Sequence, residues 1–252
     1  MHIIIPARYD STRLPGKPLA DVAGKPLIQR VHECAVKAGA AAITIATDDE
    51  RIRKAAENFG ANVCMTSPKH RTGTDRLAEA IEQQAIGAGE IVVNLQGDEP
   101  LMPPELIREV AGKLAAHQDA MVATASHAIH DRESPVNPNV VKVVCDANGY
   151  ALYFSRAAIP WPREIMAGQS GAAIQAYRHI GLYAYRAGFV RRYAAWPPCP
   201  PEEAEQLEQL RVLWHGERIV VYEARAMPAA GVDTPEDLAR VRKYFATSDN
   251  NS

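Results

Sequence analysis

The chain has 252 residues, of which 47% are hydrophobic and 23% are charged, as in an ordinary globular protein with a large core. Its formal net charge of −2 argues against a general nucleic-acid or membrane-surface binder. No stretch approaches the roughly 20 consecutive apolar residues of a membrane span. The four cysteines are far apart and lack metal-ligand spacing, so we expect buried thiols and a reducing, cytoplasmic location: Cys34, Cys64, Cys145 and Cys199.

Short apolar runs alternate with helical patterns in the first half of the chain. Apolar strands separated by helices predict an α/β fold with a mostly parallel, doubly wound sheet. Right-handed crossovers then bring the strand-end loops to one edge, where the ligands of open α/β sheets bind. The predicted strands are 2–5, 42–46, 62–65, 91–95 and 120–125, and the predicted helices are 27–37, 50–59, 74–86 and 104–117.

The second half of the chain is less regular. Thr234, followed by Pro235 and two acids, predicts the N-cap of a final helix that ends at about residue 245. No linker is evident, so we predict one domain over 1–246 and a polar, disordered tail over 247–252. The other predicted elements are strands at 140–145, 152–154, 181–185 and 219–222, a Pro- and Gly-rich loop at 160–176, and a helix at 201–214 with Leu207, Leu210 and Trp214 on one face.

The loop that follows the first strand is rich in basic residues. Arg8, Arg13 and Lys17 supply donors for phosphate oxygens, while Ser11 and Gly16 let the backbone approach a ligand closely. The sequence has neither the glycine spacing of a Walker loop nor the GxGxxG run of a dinucleotide enzyme. The loop therefore predicts a nucleotide-phosphate site of another type.

The runs 4–8, 14–19 and 24–28 resemble the opening of the CMP-sugar-acid synthetases. Within that family, the run 13–18 resembles the branch that uses 3-deoxy-manno-octulosonate (Kdo), an eight-carbon acidic sugar. Tyr9 and Asp10 depart from the pattern of relatives. The resemblance covers about residues 2–245 and implies a three-layer, Rossmann-like fold of the nucleotide-diphospho-sugar transferase type. It also implies a homodimer that couples CTP to Kdo with Mg²⁺, for the inner core of lipopolysaccharide.

Two segments in the middle of the chain extend the resemblance to the nucleotide. Residues 70–76 resemble the family motif that contacts cytosine and ribose; helix capping explains Thr72 or Thr74, but not Gly73 and Arg76 beside them. Asp48 follows the second strand, where it also suits a helix cap. The implied CTP-binding residues are Ala7, Arg8, Ser11, Arg13, Lys17, Asp48, Thr72, Gly73, Arg76, Gln96 and Gly97.

Two aspartates are the candidate metal ligands. Asp98 belongs to a polar cluster that follows a buried apolar strand, and a carboxylate at that position can hold Mg²⁺ together with phosphate oxygens and water. Asp233 lies one residue before the predicted N-cap, so capping does not explain it. The resemblance implies a second metal-facing carboxylate at Asp233. With Arg13 and Lys17 these two acids form the predicted catalytic set, whereas Glu99 is predicted to be structural.

Four runs of the second half, 138–144, 153–160, 178–186 and 207–211, also resemble the family. A guanidinium suits the carboxylate of a sugar acid because it donates two parallel hydrogen bonds. Without the family resemblance, a single His in an apolar segment is more often a core residue. Glu208 lies away from the apolar face of its predicted helix. The implied sugar-acid residues are Arg156, His179, Tyr183, Glu208 and Gln209.

Two alternative functions remain open at this point. The first is another cytidylyltransferase, for a sialic or related nonulosonic acid or for a sugar alcohol phosphate. The second is a non-catalytic nucleotide-binding regulator on the same fold, because fold does not fix function. A dehydrogenase is disfavoured because the glycine fingerprint is missing.

Overall fold

One nine-stranded sheet contains strands from both halves of the chain. The structure is a computed structural model and describes residues 1–10, 13–70, 72–131, 134–161, 163 and 175–249. A separate hairpin is formed by β2 (Asp21–Val22) and β3 (Lys25–Pro26). The sheet strands are β1 (His2–Ala7), β4 (Ala42–Thr47), β5 (Asn62–Met65), β6 (Ile91–Asn94), β7 (Val122–Ala128), β8 (Lys142–Cys145), β9 (Ala151–Ser155), β10 (Tyr177–Arg186) and β11 (Ile219–Glu223).

Helices cover the sheet on both faces. A short 3₁₀ turn, Lys17–Leu19, follows the first loop. In the described part of the chain, no helix is long and apolar enough to cross a membrane. The helices are α1 (Leu27–Lys37), α2 (Glu50–Asn58), α3 (Gly73–Gln83), α4 (Pro104–Ala116), α5 (Ala187–Ala194), α6 (Pro200–Glu205), α7 (Leu210–Trp214) and α8 (Pro235–Asp249).

The strand order is β11-β7-β10-β6-β1-β4-β5, with β8 and β9 attached to β10. β6, β1, β4 and β5 run parallel, as do β7 and β11, whereas β10 is antiparallel to both of its neighbours in this order. The predicted α/β class with a mostly parallel sheet is therefore confirmed. In such a sheet the loops at the carboxyl ends of the parallel strands lie along one edge, where a ligand can bind.

The side chains of β1 point alternately to the two faces of the sheet, and the core has one layer on each face. Ile3 and Ile5 point to one face with α1, α2 and α4, whereas Ile4 points to the other face with α3, α5 and α7. A third small cluster, which includes Val22 and Val232, joins α8 to the hairpin. The predicted three-layer architecture is confirmed, and α8 brings the C-terminal segment back to the first loop.

Side-chain caps fix the starts of the helices near the strand ends. Asp49 rather than Asp48 caps α2, by accepting from the backbone N–H groups of Arg51 and Ile52 at 2.8 and 3.3 Å. Thr72 caps α3 through a reciprocal pair of hydrogen bonds with Asp75, both of 3.1 Å. Thr234 accepts from the Asp237 N–H at 3.2 Å, so the predicted N-cap of the final helix is confirmed.

The predicted helix over 201–214 is wrong, because the structure has two short helices there. Gln206 ends α6 in the left-handed conformation, with φ of 53°, and α7 begins only at Leu210. Leu207 and Leu210 are buried as expected, but Trp214 is 58% exposed. Local apolar spacing did not reveal this break, because Leu207 within it and Leu210 after it are both buried.

Three further differences concern element bounds. α5 was not predicted, and β10 begins four residues before the predicted strand at 181. The last helix continues to Asp249, so residues 247–249 are helical rather than disordered. Most of the predicted loop 160–176 lies outside the described residues.

All four cysteines are free thiols, three of them buried and Cys145 half-buried, and the cytoplasmic location stays a prediction.

A buried lysine connects two loops near β8 and β9, the two strands attached to β10, which we call the sheet extension. Lys142 is 0% exposed, and its ammonium donates to the carbonyls of Asn137 at 3.0 Å, Val140 at 2.6 Å and Arg156. A buried charge is tolerated only where hydrogen bonds satisfy it. Here three carbonyls of two loops share one donor group, so Lys142 holds both loops against β8.

We expect Lys142→Met to lower the free energy of unfolding by about 2–4 kcal/mol, because it leaves three carbonyls without their donor. Urea unfolding measures the loss. The matched control is Lys54→Met on the exposed side of α2, which should change stability by less than about 0.5 kcal/mol. Equal stability of the Lys142 variant and the wild type would show that the ammonium is not needed to hold the loops.

Candidate active site

Lys17 brings the two predicted metal ligands together. Its ammonium lies 2.6 Å from Oδ2 of Asp98 and 3.1 Å from Oδ1 of Asp233, and Arg13 lies 3.1 Å from Oδ2 of Asp233. Lys17 is mostly buried, with 13% of its side chain exposed, whereas Arg13 is 64% exposed. The structure therefore brings together all four residues of the predicted catalytic set. Their catalytic and metal roles stay predictions.

Backbone contacts position the two aspartates. Asp98 follows β6, and its carbonyl accepts from the Val232 N–H at 2.8 Å, which fixes the segment that carries Asp233. A Cβ on Gly231 would lie 3.1 Å from the same carbonyl, so the two segments are in close contact. Gly97 is closer still, because a Cβ there would lie 2.7 Å from the Pro6 carbonyl. Glycine at 97 is needed for β1 and the loop after β6 to approach each other.

Opposite charges concentrate where these segments meet. Burial alone would lower the pKa of Lys17, but the carboxylates of Asp98 and Asp233 outweigh it and raise that pKa above its usual value. Burial raises the pKa of Glu99 to about 7, and the negative charges of Asp98 and Asp233 contribute to the increase. Two cations, Lys17 and Arg13, thus face the carboxylates of Asp98 and Asp233, with Glu99 close by.

A cavity of about 500 Å³ opens beside Lys17, and we call it the first-loop cavity. It combines basic side chains of the first loop with the start of α3 and the loop after β6. Of the predicted CTP-binding residues it contains Ala7, Arg8, Arg13, Lys17, Thr72, Gly73, Gln96 and Gly97, and Pro6, Asp10, Pro18, Asp98 and Glu208 complete the wall. Ser11 lies outside the described residues.

A second cavity of about 310 Å³ adjoins the first, and we call it the tyrosine cavity. It shares Gly73, Gln96 and Glu208 with the first-loop cavity. The two cavities are therefore neighbours that share part of their walls. The remaining wall residues are Thr74, Asn94, Val122, Tyr183, Tyr185, Tyr193, Gln206, Leu207, Gln209 and Val212.

Arg76 and Asp48 pair with each other and are absent from the walls of both cavities. Arg76 is 0% exposed, and its guanidinium donates to Asp48 at 2.9 Å and to Thr66. Because Asp49 caps α2, Asp48 is available for this ion pair. The ion pair joins the start of α3 to the loop after β4, which gives both residues a structural explanation. Their predicted contact with CTP stays a prediction.

The structure does not bring Arg156 and His179 into either cavity wall. The guanidinium of Arg156 donates to the carbonyls of Glu205 at 2.8 Å and Pro138 at 3.1 Å. Nε2 of His179 lies 3.0 Å from Oγ1 of Thr124, and its ring packs against Phe154 and Tyr183. The predicted binding of the sugar acid by these two residues stays a prediction, and their present contacts are structural.

Glu208 occupies the boundary between the cavities. Its carboxylate accepts from Oγ1 of Thr74 at 3.1 Å, and its carbonyl accepts from the Tyr193 hydroxyl at 3.0 Å. Desolvation of the carboxylate by neighbouring side chains raises the pKa of Glu208. The Thr74 hydrogen bond and the positive charge of Arg211 oppose this increase. Glu208 is exposed, as its position away from the apolar face predicted, and its hydrogen bond to Thr74 holds the carboxylate at the boundary of the two cavities.

The family model described as "Cytidylyltransferase" matches residues 2–219. The 3-deoxy-manno-octulosonate cytidylyltransferase of Idiomarina loihiensis is 59% identical to the chain over 244 residues, which is 96% of both proteins. The protein of the same name from Vibrio parahaemolyticus is 58% identical over 245 residues, or 97% of both. The chain belongs to the 3-deoxy-manno-octulosonate cytidylyltransferase family.

Solved structures agree with this membership. The structure of a CMP:2-keto-3-deoxy-manno-octonic acid synthetase complexed with CTP is 42% identical, covers 98% of both chains and superposes with a TM-score of 0.89. A nucleotidyl transferase from Methanothermobacter is only 16% identical, with a TM-score of 0.59, and shares the fold alone. The family resemblance seen in the motifs is therefore confirmed, and the chain is a nucleotidyltransferase rather than a dehydrogenase.

Several wall residues of this cytidylyltransferase were not among the predicted site residues. Tyr185, Tyr193 and Gln206 line the tyrosine cavity only because separate elements converge there. Asn94 carried a signal, since it ends an apolar strand with an amide. Asp98, four residues later, carries the stronger signal because a carboxylate can hold a metal ion.

We expect the imidazole of His179 to stay neutral well below its usual pKa of 6.5, because burial lowers that pKa to about 3. Unfolding exposes the ring, so the unfolded state binds a proton more readily as the pH falls below 6.5. Because of His179, the free energy of unfolding should therefore decrease progressively as the pH falls from 6.5 to 3. His179→Gln should remove this part of the loss in urea unfolding between pH 7.5 and 4.5. An NMR titration of the His179 ring with a midpoint near 6.5 would contradict the expectation.

Proposed function

We propose that this chain transfers a cytidylyl group from CTP to 3-deoxy-manno-octulosonate, releasing pyrophosphate. The observation that carries the proposal is the meeting of Asp98, Asp233 and Lys17 at a basic cavity that adjoins a second cavity lined by hydroxyl and amide groups. Two adjoining cavities suit a reaction that joins two substrates. The names of the relatives and the CTP complex of the related synthetase support CTP and the octulosonate as the pair.

CTP suits the first-loop cavity. Arg8, Arg13 and Lys17 can neutralise and orient the triphosphate, and Gln96 and the start of α3 can contact the base and ribose. The sugar acid suits the tyrosine cavity, where Tyr183, Glu208 and Gln209 can bind its hydroxyls. Because Gly73, Gln96 and Glu208 belong to both walls, the reacting atoms meet at that boundary.

The proposed step is an in-line displacement. The oxygen of the anomeric 2-hydroxyl forms a bond to the α-phosphorus of CTP, and the bond from that phosphorus to the bridging oxygen of the β-phosphate breaks. The hydroxyl proton leaves to solvent, and the electron pair leaves with pyrophosphate. Such transfers depend on positioning and on neutralising charge rather than on a covalent enzyme intermediate. Arg13 and Lys17 supply that charge here.

Asp98 and Asp233 fit a magnesium ion. Both carboxylates already approach a single cation, the Lys17 ammonium, and Mg²⁺ commonly takes one or two carboxylates plus phosphate oxygens and water. Bound there, Mg²⁺ would neutralise phosphate charge and favour the ionised sugar hydroxyl.

We expect Asp98→Ala and Asp233→Ala each to lower kcat/KM by at least about 100-fold, because positioning and charge neutralisation together supply most of the rate. Pyrophosphate release from CTP, Kdo and varied Mg²⁺ measures the effect. The matched control is Glu236→Ala, an exposed acid in the first turn of α8, which should retain wild-type turnover.

Turnover near wild type in either aspartate variant would remove that residue from the proposed metal role. The same assay tests the alternatives. Sialic acid and a sugar alcohol phosphate replace Kdo in parallel reactions, and UTP and ATP replace CTP. Pyrophosphate release with another acid but not with Kdo would reassign the substrate, and its absence with every pair would contradict the proposed reaction.

The homodimer is proposed through the sheet extension. β9 pairs only with β8 in the described sheet, so its other edge is open. Leu152 and Tyr153 on this strand are 60% and 38% exposed, and Trp161 beyond it is 59% exposed. An exposed apolar edge strand is a ready site for pairing with a second chain. This strand lies in the less regular second half of the chain.

We expect Leu152→Lys to convert a dimer into a monomer in sedimentation velocity, because the lysine places a charge in the proposed contact. The matched control is Val36→Lys on α1, where the residue replaced is 54% exposed, and it should leave the dimer intact. A monomeric wild type, or an unchanged dimer in the Leu152 variant, would contradict this interface.

A further inference from the structure

Asn94 is a polar side chain in an apolar layer. It is 2% exposed, and its amide oxygen has no hydrogen-bond partner among the described residues. The large majority of buried side-chain polar atoms have at least one partner, and the exceptions need an explanation. Since leaving such an atom unpaired destabilises a fold, an asparagine at this position needs a functional reason.

The strand geometry fixes where the amide points. Side chains alternate along β6, so Asn94 shares a face with Val92, which packs in the layer that contains α3, α5 and α7. Its partner across the antiparallel ladder is Tyr183. Both residues line the tyrosine cavity. The amide therefore lies in the wall of that cavity, two residues before Gln96, which lines both cavities.

A second unpaired polar atom faces the same space. Gln209 is 8% exposed, and its amide nitrogen also lacks a partner among the described residues. Asn94 thus presents an acceptor and Gln209 presents a donor to one cavity. A hydroxyl group can satisfy either atom, because it both donates and accepts. An ionised carboxylate or phosphate only accepts, so it cannot bond to the Asn94 oxygen.

We propose that Asn94 is a specificity-determining residue, whose amide oxygen accepts a hydrogen bond from a hydroxyl group of the sugar acid. This inference rests on the proposed function and adds a contact that discriminates among sugar acids. An acid with that hydroxyl satisfies the buried oxygen. An analogue that lacks the hydroxyl leaves the oxygen unpaired, which is how a polar cavity rejects a deoxy substrate.

The test is Asn94→Leu, which keeps the approximate size of the side chain and removes both polar atoms. We expect the KM for Kdo to rise by about 10- to 100-fold while the KM for CTP stays within about twofold, because one substrate alone loses a hydrogen bond. The melting temperature should not fall, since an unpaired buried polar group is replaced by an apolar one. A residue that only supports the fold would show the opposite pattern, with lower stability and both KM values changed.

Deoxy analogues of Kdo, each lacking one hydroxyl, complete the experiment. The wild type should disfavour one analogue strongly, and Asn94→Leu should use that analogue about as well as Kdo. Asn62→Leu is the matched control, because Asn62 also lies on a strand but its amide donates to Thr44 at 3.3 Å and it lines neither cavity. Its kinetics should be unchanged.

The outcomes separate the inference from the proposed function. A wild type that makes no pyrophosphate from CTP and Kdo overturns both. An active wild type together with an unchanged KM for Kdo in Asn94→Leu overturns the inference alone. The same holds if the variant keeps the wild-type preference for Kdo over every deoxy analogue.

Discussion

The ammonium of Lys17 lies between two carboxylates that are 135 positions apart in the chain, at 98 and 233. These charges would repel if they met alone, and the lysine makes their approach favourable. The contact requires the first loop, the end of β6 and the segment before α8 to converge. The Val232–Asp98 backbone hydrogen bond and the close approach of Gly97 to Pro6 support that convergence. Much of the first-loop cavity exists because these three segments are held together.

Residues on one face of the sheet line both cavities. The side chains of residues 92, 94 and 96 point to the same face of β6 and of the residues that continue it. Val92 packs in the core, Asn94 lines the tyrosine cavity, and Gln96 lines both cavities. The apolar layer ends where Asn94 replaces another aliphatic residue. Stability favours an apolar group there, while recognition of a hydroxylated ligand favours an amide. The same conflict appears at Gln209, which lines the same cavity.

Prediction of helices and strands from the sequence succeeded for some elements and failed for others. The parallel strands of the first half and the helices between them were predicted nearly in full, because each has its own periodic apolar pattern. The helix at 201–214 was wrong because the chain turns at Gln206 in the left-handed conformation, and the sequence has no Gly or Pro there to mark the turn. α5 was overlooked, although its residues Phe189, Val190 and Tyr193 fill the layer against α3.

The sequence by itself determined the α/β class, the basic first loop, the family and the two aspartates, because each is written in a local pattern or a contiguous motif. Only the tertiary structure decided that Lys17 contacts both aspartates, that Asp48 pairs with Arg76, and that Arg156 and His179 bind protein groups outside the cavity walls. It also showed the unpaired amides of Asn94 and Gln209 in one cavity. A motif specifies which groups a segment carries, whereas the distances between segments depend on the packing of the whole sheet and its helices.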